Sequence, residues 1–352
     1  MSPRLSVILC SLNGAPGVAR CLDALDRQTI RGQLEVIVVD DGSSDDTSEV
    51  AQTAGVVLIR HSRNLGVSAA RNSGIRVASA DVVAFLDDDC EPCDDWAETL
   101  LAGYDDSTLA IGGALLPVAG KGVLFGYLTR HNPLNPLEMD LLRSNSVWYR
   151  FYIYMARQWR NSPSRGRRGV ASLASANMSV RRLALASVGG FDERIRFGSE
   201  DEDLCRRLAF AYPGQRLTFD PAARVHHHFT GTLRDMVRRR RAYGRGSALM
   251  YHKWPDVGPT WFPFPVVVLG LLCMSVRFPV LAAVAVAAPQ VFYPMGLRLA
   301  IGERRLSCVL DAYLQLVEEA SDDVGFLEGL WRFRDFRHRQ QTLLGLARRR
   351  RE

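Results

Sequence analysis

The stretch VVAFLDDD (Val82–Asp89) decides the fold, because five apolar residues run directly into three carboxylates. The apolar part predicts a strand buried on both faces, as in a parallel sheet. In open α/β sheets, ligands bind at the carboxyl ends of the strands, where the three aspartates fall. Adjacent like charges repel unless a cation or a ligand's donors share them, and Mg²⁺ and Mn²⁺ prefer carboxylate oxygens. The other interpretation is an acidic turn that caps the next helix.

Apolar strands and amphipathic helices alternate along the first part of the chain. The predicted strands are Leu5–Cys10, Leu34–Val39, Val56–Ile59 and Asp81–Leu86, with a helix in each gap. This alternation with short connections predicts right-handed crossovers between parallel strands. We therefore predict an α/β fold, with a Rossmann-like, mainly parallel sheet flanked by helices.

Charge and hydrophobicity change together towards the C terminus. Residues 1–231 hold 25 basic and 27 acidic side chains, whereas residues 232–352 hold 19 basic and 11 acidic ones. Residues 262–276 and 278–297 are uncharged, and Arg277 lies between them. The second segment is long enough to span a bilayer, so a spanning hairpin, a re-entrant pair in one leaflet and a buried soluble pair all remain open. The basic flanks favour an anionic membrane, with the preceding domain on the cytoplasmic side, and no nucleic acid is expected.

The seven cysteines show no spacing pattern, which predicts reduced thiols in the cytosol. Cys90 and Cys93 form a single CxxC, and a structural zinc site would need a second ligand pair, such as two of the histidines at 226–228. The first residues lead directly into a strand, so no signal peptide is expected.

Four polar clusters fall at loops that a parallel sheet gathers on one edge. They are Ser11–Asn13, Asp40–Asp41, Asp87–Asp89 and Glu200–Asp203. Their order and setting, in SVILCSLN, VVDDGSSDDT, NLGVSAARNSG, AFLDDD, FGSEDEDLCRRL and VHHH, resemble the family 2 glycosyltransferases of the GT-A fold. The resemblance covers residues 5 to about 250 and implies a nucleotide-sugar donor.

The resemblance implies roles for the residues that match the family's motifs on the donor side. The nucleotide-sugar contacts fall on Ser11, Leu12, Asn13, Asp41, Arg71, Asp87 and Asp88. Asp89 is the expected ligand of a divalent metal, Mn²⁺ or Mg²⁺, with His226 as a second ligand. Because side chains alternate along a strand, His227 would point away from His226 and His228, and the three histidines leave the register open.

The resemblance also implies a catalytic base, Asp201, in the Glu200-Asp201 pair. Inverting transfer needs a carboxylate that takes the proton of the acceptor hydroxyl, and a metal that stabilises the diphosphate leaving group. Glu200 and Asn177 would lie beside the acceptor. A capping box of Ser199 and Glu202 is expected at the start of the same helix.

We therefore predict a metal-dependent inverting glycosyltransferase that extends a lipid-linked or cell-envelope glycan at the cytoplasmic face of the cell membrane. The predicted domains are a GT-A domain, with a donor half at 1–116 and an acceptor half at 117–250, hydrophobic membrane-associated helices at 261–297 and a basic amphipathic tail at 298–352. The basic run Arg238–Arg241 either closes over the pyrophosphate or forms a solvated or membrane-facing stripe.

Three other classes of protein are weighed against this prediction. A nucleotidyltransferase would need a Gly-rich basic loop after the first strand, where this chain has Ser-Leu-Asn. A non-catalytic nucleotide-sugar-binding scaffold at the membrane would predict the loss of an acid, yet Asp89 and Asp201 are both present. A dinucleotide-dependent oxidoreductase is disfavoured because no GxGxxG follows the first strand.

Overall fold

The chain forms two compact units in the computed structural model, which describes residues 2–118, 120–132, 136, 139, 146–159, 166–196, 198–229, 231–254, 256–302, 304–334 and 336. The first, the sheet unit, comprises Met1–Ala119, Asn132–Leu142 and Ser162–Phe229. The second, the helical unit, comprises Gly120–His131, Arg143–Asn161 and Thr230–Glu352. The helix that begins after residue 231 therefore groups with the C-terminal helices, because most of its contacts are with them.

The described strands of the sheet unit form one sheet in the order β3-β2-β1-β4-β8-β6-β9-β5, and β7 pairs with β9. The strands are β1 (Leu5–Ser11), β2 (Leu34–Asp40), β3 (Val57–Arg60), β4 (Val82–Asp87), β5 (Cys90–Pro92), β6 (Thr108–Pro117), β7 (Arg168–Gly169), β8 (Asn177–Arg181) and β9 (Arg216–His227).

Helices occur in both units. The sheet unit has α1 (Ala15–Asp26), α2 (Thr47–Thr53), α3 (Val67–Val77), α4 (Trp96–Ala102), α7 (Arg182–Ser187) and α8 (Glu200–Ala211), with a short 3-10 helix at Arg31–Gln33. The helical unit has α5 (Val123–Arg130), α6 (Val147–Trp159), α9 (Leu233–Lys253), α10 (Pro263–Ser275), α11 (Val280–Phe292), α12 (Pro294–Gly302) and α13 (Asp311–Arg332), with a 3-10 helix at Leu306–Leu310.

The parallel half of the sheet forms as predicted, and the α/β fold is confirmed. β1 runs parallel to β2 and β4, so Ser11 lies opposite Asp40 and Cys10 opposite Asp87. Side chains alternate between two cores along β1, since Leu9 packs on one face and Ile8 on the other. The sheet as a whole is mixed, because β8 runs antiparallel to β4 and β6, and β5 antiparallel to β9. The strand–helix alternation that predicts parallel pairing ends at β4, because β5 follows it with no helix between them.

The two long helices of the helical unit, α9 and α13, approach each other through glycines. A Cβ atom on Gly244 would lie 2.0 Å from the Asp322 carbonyl oxygen, and one on Gly325 would lie 2.2 Å from that of Arg241. Beside this contact, Arg240 Nε donates to Glu318 Oε1 at 2.9 Å. The basic run Arg238–Arg241 was predicted either to close over the pyrophosphate or to form a solvated or membrane-facing stripe. Acids of α13 partly neutralise it.

The uncharged segments form three helices. α10 and α11 pack against each other and are joined by residues 276–279, so Arg277 lies in the connection. The second segment is bent by 71° between α11 and α12, where Pro294 begins the new helix. Within the described ranges, no one helix combines the length and the apolar composition needed to cross a bilayer, although α11 and α12 taken together meet both criteria. The basic run Arg348–Arg351 of the predicted tail lies outside the described residues.

Candidate active site

Asp88 is held between β4 and the start of α1. Ser11 Oγ donates to Asp88 Oδ2 at 2.5 Å. A Cβ on Gly14 would lie 2.0 Å from that oxygen, and a Cβ on Gly17 would lie 2.2 Å from the Asp88 carbonyl oxygen. Only glycine permits this approach of the helix. Burial, followed by repulsion from the neighbouring aspartates, raises the pKa of Asp88 to about 7.

The loop after β1 is tied to the loop after β2. Asn13 adopts a left-handed conformation with φ 57°, which asparagine tolerates better than most residues. Its backbone N–H donates to Ser43 Oγ at 2.9 Å, and its Oδ1 accepts from the Ser44 N–H at 2.8 Å. The loop leaves the Leu12 side chain 43% exposed at the edge of the sheet, where a ligand can reach it.

The Asp41 carboxylate is engaged by the protein's own loop. Oδ1 lies 2.7 Å from His61 Nδ1 and accepts from the Leu65 N–H, and Oδ2 accepts from the Gly66 N–H at 2.8 Å. The residue is only 4% exposed. His61 Nε2 lies 2.9 Å from Ser73 Oγ on α3. Asp41 therefore orders the segment between β3 and α3. His61 is not predictable as a site residue from the sequence, where its only signal is its place directly after β3.

Arg71 connects two carboxylate clusters that lie far apart in the sequence. Its Nη2 donates to Asp87 Oδ1 and its Nη1 donates to Glu200 Oε1, each at 2.8 Å. The guanidinium lies 5.3 Å from the centre of the Phe191 ring, and its side chain is 3% exposed. Burial lowers the pKa of Arg71, but the attraction of both acids outweighs this and raises it above the ordinary value. Arg71, which was predicted to approach the nucleotide, is thus paired with two acids in this structure.

Asp201 sits at the start of α8 with a fixed orientation. Its Oδ1 accepts from the Glu202 N–H at 2.8 Å and its Oδ2 from the Ser175 N–H at 3.3 Å. Burial, followed by repulsion from Glu200, raises the pKa of Asp201 to about 7. The other oxygen of Glu200, Oε2, is buried and has no hydrogen-bond partner among the described residues.

The predicted capping box at α8 is wrong. Ser199 occupies the N-cap position with φ 66°, and its side chain makes no capping hydrogen bond in the described structure. An N-cap that accepts through its side chain has extended backbone geometry, which a left-handed residue does not have. Glu202 lies instead 3.5 Å from Arg206, one turn along the helix.

Of the three histidines, His227 lies beside Asp89. Its Nε2 is 3.2 Å from Asp89 Oδ1. His228 Nε2 lies 2.6 Å from Glu91 Oε1, and His226 is exposed. The structure thus brings His227 to Asp89, because the alternation along β9 buries His227, and it leaves His226, the predicted ligand, on the exposed side of the strand.

Asp89, Cys90 and His227 form a cluster of possible metal ligands, which we call the Asp–Cys–His cluster. A carboxylate oxygen, the thiol sulfur and an imidazole nitrogen all lie within 4.8 Å of one another. Asp89 remains 33% exposed and can face a ligand. Oxygen, nitrogen and sulfur donors in one place fit a divalent cation.

Asn177 was predicted to line an acceptor pocket, but its side chain forms hydrogen bonds inside the sheet unit. Its Oδ1 accepts from Trp96 Nε1 at 2.8 Å, and its Nδ2 donates to the carbonyl oxygens of Ala114 and Ala223. The residue is 1% exposed. The amide therefore links β8 to its neighbours and offers no surface to an acceptor in this structure.

Two family models match the chain. Residues 6–176 match the model described as glycosyl transferase family 2, and residues 134–299 match the one described as glycosyl transferase family group 2. The chain belongs to family 2 of the glycosyltransferases, as the motifs predicted.

Named relatives support the same assignment. The pre-mycofactocin glycosyltransferase of Mycobacterium tuberculosis is 33% identical over 261 residues, which is 72% of this chain and 48% of the relative. The glucosyl-dolichyl phosphate glucuronosyltransferase of Haloferax volcanii is 26% identical over 238 residues, 64% of this chain and 69% of that one. The chain therefore spans about half the length of the mycobacterial relative.

A solved structure shares the fold. It is a mannosyltransferase from Pyrobaculum calidifontis in complex with GDP-mannose and Mn²⁺. The TM-score is 0.57 at 19% sequence identity, with 94% of this chain and 88% of the other covered.

Proposed function

We propose that the chain is a metal-dependent inverting glycosyltransferase that moves a sugar from a nucleotide-diphosphate sugar to a lipid-linked or cell-envelope glycan acceptor. One observation carries the proposal. Arg71 holds Asp87 of the donor motif and Glu200, the neighbour of the base, at 2.8 Å each. Family membership indicates the class of reaction. The Arg71 bridge holds the donor motif close to the proposed base, so a bound donor would lie near that base.

The donor would lie against the carboxyl ends of β1 and β4. Leu12 and Asn13 are exposed there for the nucleoside, and the Asp87 side chain is 37% exposed for the ribose or sugar. Asp89 and His227 would hold the divalent cation, which when bound neutralises the diphosphate as it leaves. The mannosyltransferase of similar fold was solved with Mn²⁺ and its sugar nucleotide, which supports a divalent cation here.

Asp201 would act as the general base. The acceptor hydroxyl oxygen attacks the anomeric carbon, the bond from that carbon to the diphosphate oxygen breaks, and the hydroxyl proton passes to the Asp201 carboxylate. One displacement from the opposite face inverts the configuration and requires no covalent intermediate. A carboxylate with a pKa of about 7 is well matched to this work near neutral pH.

A lipid-linked acceptor is supported by the helical unit and by the name of one relative, which includes a dolichyl phosphate. α10, α11 and the connection between them expose a set of large apolar side chains to solvent. They are Val266, Val267, Leu269, Leu272, Met274, Val276, Val280, Val284, Val286 and Val291. Soluble monomers rarely expose apolar surface on this scale, so we propose that these helices contact an anionic membrane from its cytoplasmic side.

The experiment is a thermal-shift screen of nucleotide sugars with Mn²⁺, Mg²⁺ or EDTA, followed by a transfer assay with the donor that stabilises the protein. A ligand that binds the folded state raises its stability in proportion to the logarithm of its concentration over Kd. We expect one donor to stabilise the chain only with a divalent ion. Asp201→Asn should keep that stabilisation and lose transfer, whereas Asp81→Asn, an acid on the surface, should change neither. Transfer at the wild-type rate by Asp201→Asn would remove the base assignment.

A further inference from the structure

We propose that Cys90 is a third protein ligand at the metal position, so that the Asp–Cys–His cluster binds ions of the Zn²⁺ and Co²⁺ class through sulfur as well as oxygen and nitrogen. The inference rests on the metal position of the proposed function. Its test uses the metal alone and therefore does not depend on a donor or an acceptor.

Strand register brings the thiol and the imidazole together. β5 and β9 are antiparallel, and Cys90 lies directly opposite His227. Side chains of such a pair project from the same face, with Cβ atoms about 4.5–5.5 Å apart. Asp89, the residue before Cys90, supplies the carboxylate at the point where the chain enters β5.

The distances are close to those of a bound ion. Asp89 Oδ1 lies 3.2 Å from His227 Nε2 and 3.8 Å from Cys90 Sγ. Tetrahedral Zn²⁺ with ligand distances of about 2.0–2.3 Å holds its ligand atoms roughly 3–4 Å apart. Small side-chain rotations would therefore complete the three-ligand set.

The surroundings hold the cluster in place. Cys90 and His227 are both buried, and the His227 ring packs on Phe229 with centroids 4.3 Å apart. The backbone is fixed on both sides, because the His228 N–H donates to the Asp89 carbonyl and the Val118 N–H donates to that of His227. Only Asp89 is partly exposed. Three protein ligands with one open side match catalytic zinc sites, which leave the fourth position for water or substrate.

The chemistry of the thiol separates this site from one made of carboxylates alone. Mg²⁺ and Mn²⁺ favour oxygen, whereas Zn²⁺ and Co²⁺ accept sulfur and imidazole. On binding, the Cys90 S–H would release its proton to solvent and the sulfur would replace one water on the ion. The thiol would give up its contact with the Ala176 carbonyl oxygen, at 3.5 Å. A buried thiol that serves only packing would keep that contact.

The test is a Co²⁺ titration of the full-length, metal-free protein followed by electronic absorption. The starting protein carries Cys273→Ser, because that exposed thiol could bind cobalt by itself. We expect a sulfur-to-cobalt charge-transfer band that saturates at one equivalent and is displaced by Zn²⁺. Cys90→Ser should abolish the band, and the matched variant Cys93→Ser, which changes the other thiol of the CxxC, should keep it.

Two results would overturn the inference: a band that survives Cys90→Ser, or cobalt bound by the starting protein with no such band. Circular dichroism checks that Cys90→Ser folds, and His227→Asn gives a second test if it does not, since it should also weaken the band. Calorimetry adds that Cys90→Ser should lower Zn²⁺ affinity by more than about tenfold and leave Mn²⁺ affinity nearly unchanged. If Co²⁺ binds without the sulfur band while Mn²⁺ and a donor still bind, this inference fails and the proposed function stands.

Discussion

Replacing Arg71 by methionine removes the cation that connects Asp87 with Glu200. Methionine keeps much of the aliphatic volume of the side chain but leaves both carboxylates facing a neutral group. We expect a loss of about 3–5 kcal/mol in the free energy of unfolding, which is the usual result when one partner of a buried ion pair is removed.

Most of this loss should come from Glu200. Its side chain is 10% exposed, and its Oε1 would lose a charged donor at 2.8 Å, while Oε2 already lacks a partner among the described residues. Asp87 is 37% exposed, so water can replace its contact and its share should be at most about 1 kcal/mol. The loss of the contact with the Phe191 ring adds about 0.5–1 kcal/mol.

The assay is urea unfolding followed by circular dichroism, with two comparison variants. Arg60→Met removes a 60% exposed arginine that lies 3.6 Å from Asp40, and it should lower stability by at most about 1 kcal/mol. Arg71→Met/Glu200→Gln removes both members of the buried pair and should recover part of the loss, because no charge is then left buried. If Arg71→Met is no less stable than Arg60→Met, the bridge does not hold the two clusters together.

Three further outcomes are expected. Because the pKa of Asp201 is raised to about 7, kcat should fall as the pH is lowered through 7 and the base gains its proton. A kcat profile that is flat from about pH 5.5 to about pH 8.5 would contradict this role. His227→Ala should remove the metal dependence of donor binding in the thermal-shift assay, whereas His226→Ala, on the exposed side of β9, should leave it unchanged. Gly325→Leu should separate α9 from α13 and destabilise the helical unit by about 1–3 kcal/mol or more in urea unfolding; wild-type stability would show that the helices do not need this close approach.

The parallel half of the sheet was predictable because burial on both faces leaves a direct mark in the sequence. The apolar run of β4 is continuous, and its acids lie at the carboxyl end of the strand as expected. The bridge through Arg71 was not predictable, since it joins residues 129 positions apart and depends on how α8 returns to the sheet.

Which histidine lies beside Asp89 was not predictable for a similar reason. The sequence predicts two short strands, Arg216–Phe219 and Ala223–His228, but the structure has one strand of 12 residues, Arg216–His227. This strand pairs with β6 through a register shift between Gly113 and Ala114. Irregular pairing of this kind decides which side chains face the site. Local alternation alone gives two equal choices, and it cannot tell His226 from His227.

The ion pairs between α9 and α13 change how membrane contact has to be tested. A chain that ends near Tyr251 would lose the apolar helices. It would also lose Glu318 and Asp322, the acids that pair with Arg240 at 2.9 and 3.5 Å. Insolubility of such a fragment would then reflect an uncovered helix face. A chain in which residues 261–302 are replaced by a flexible linker keeps the ion pairs between α13 and α9 and removes the exposed apolar surface, together with the contacts that Phe264 and Tyr293 make with α13. Since the basic side chains of α9 are already partly paired with acids, we expect this deletion to abolish flotation with anionic vesicles. Retained flotation would mean that charge, and not the apolar helices, holds the protein at the membrane.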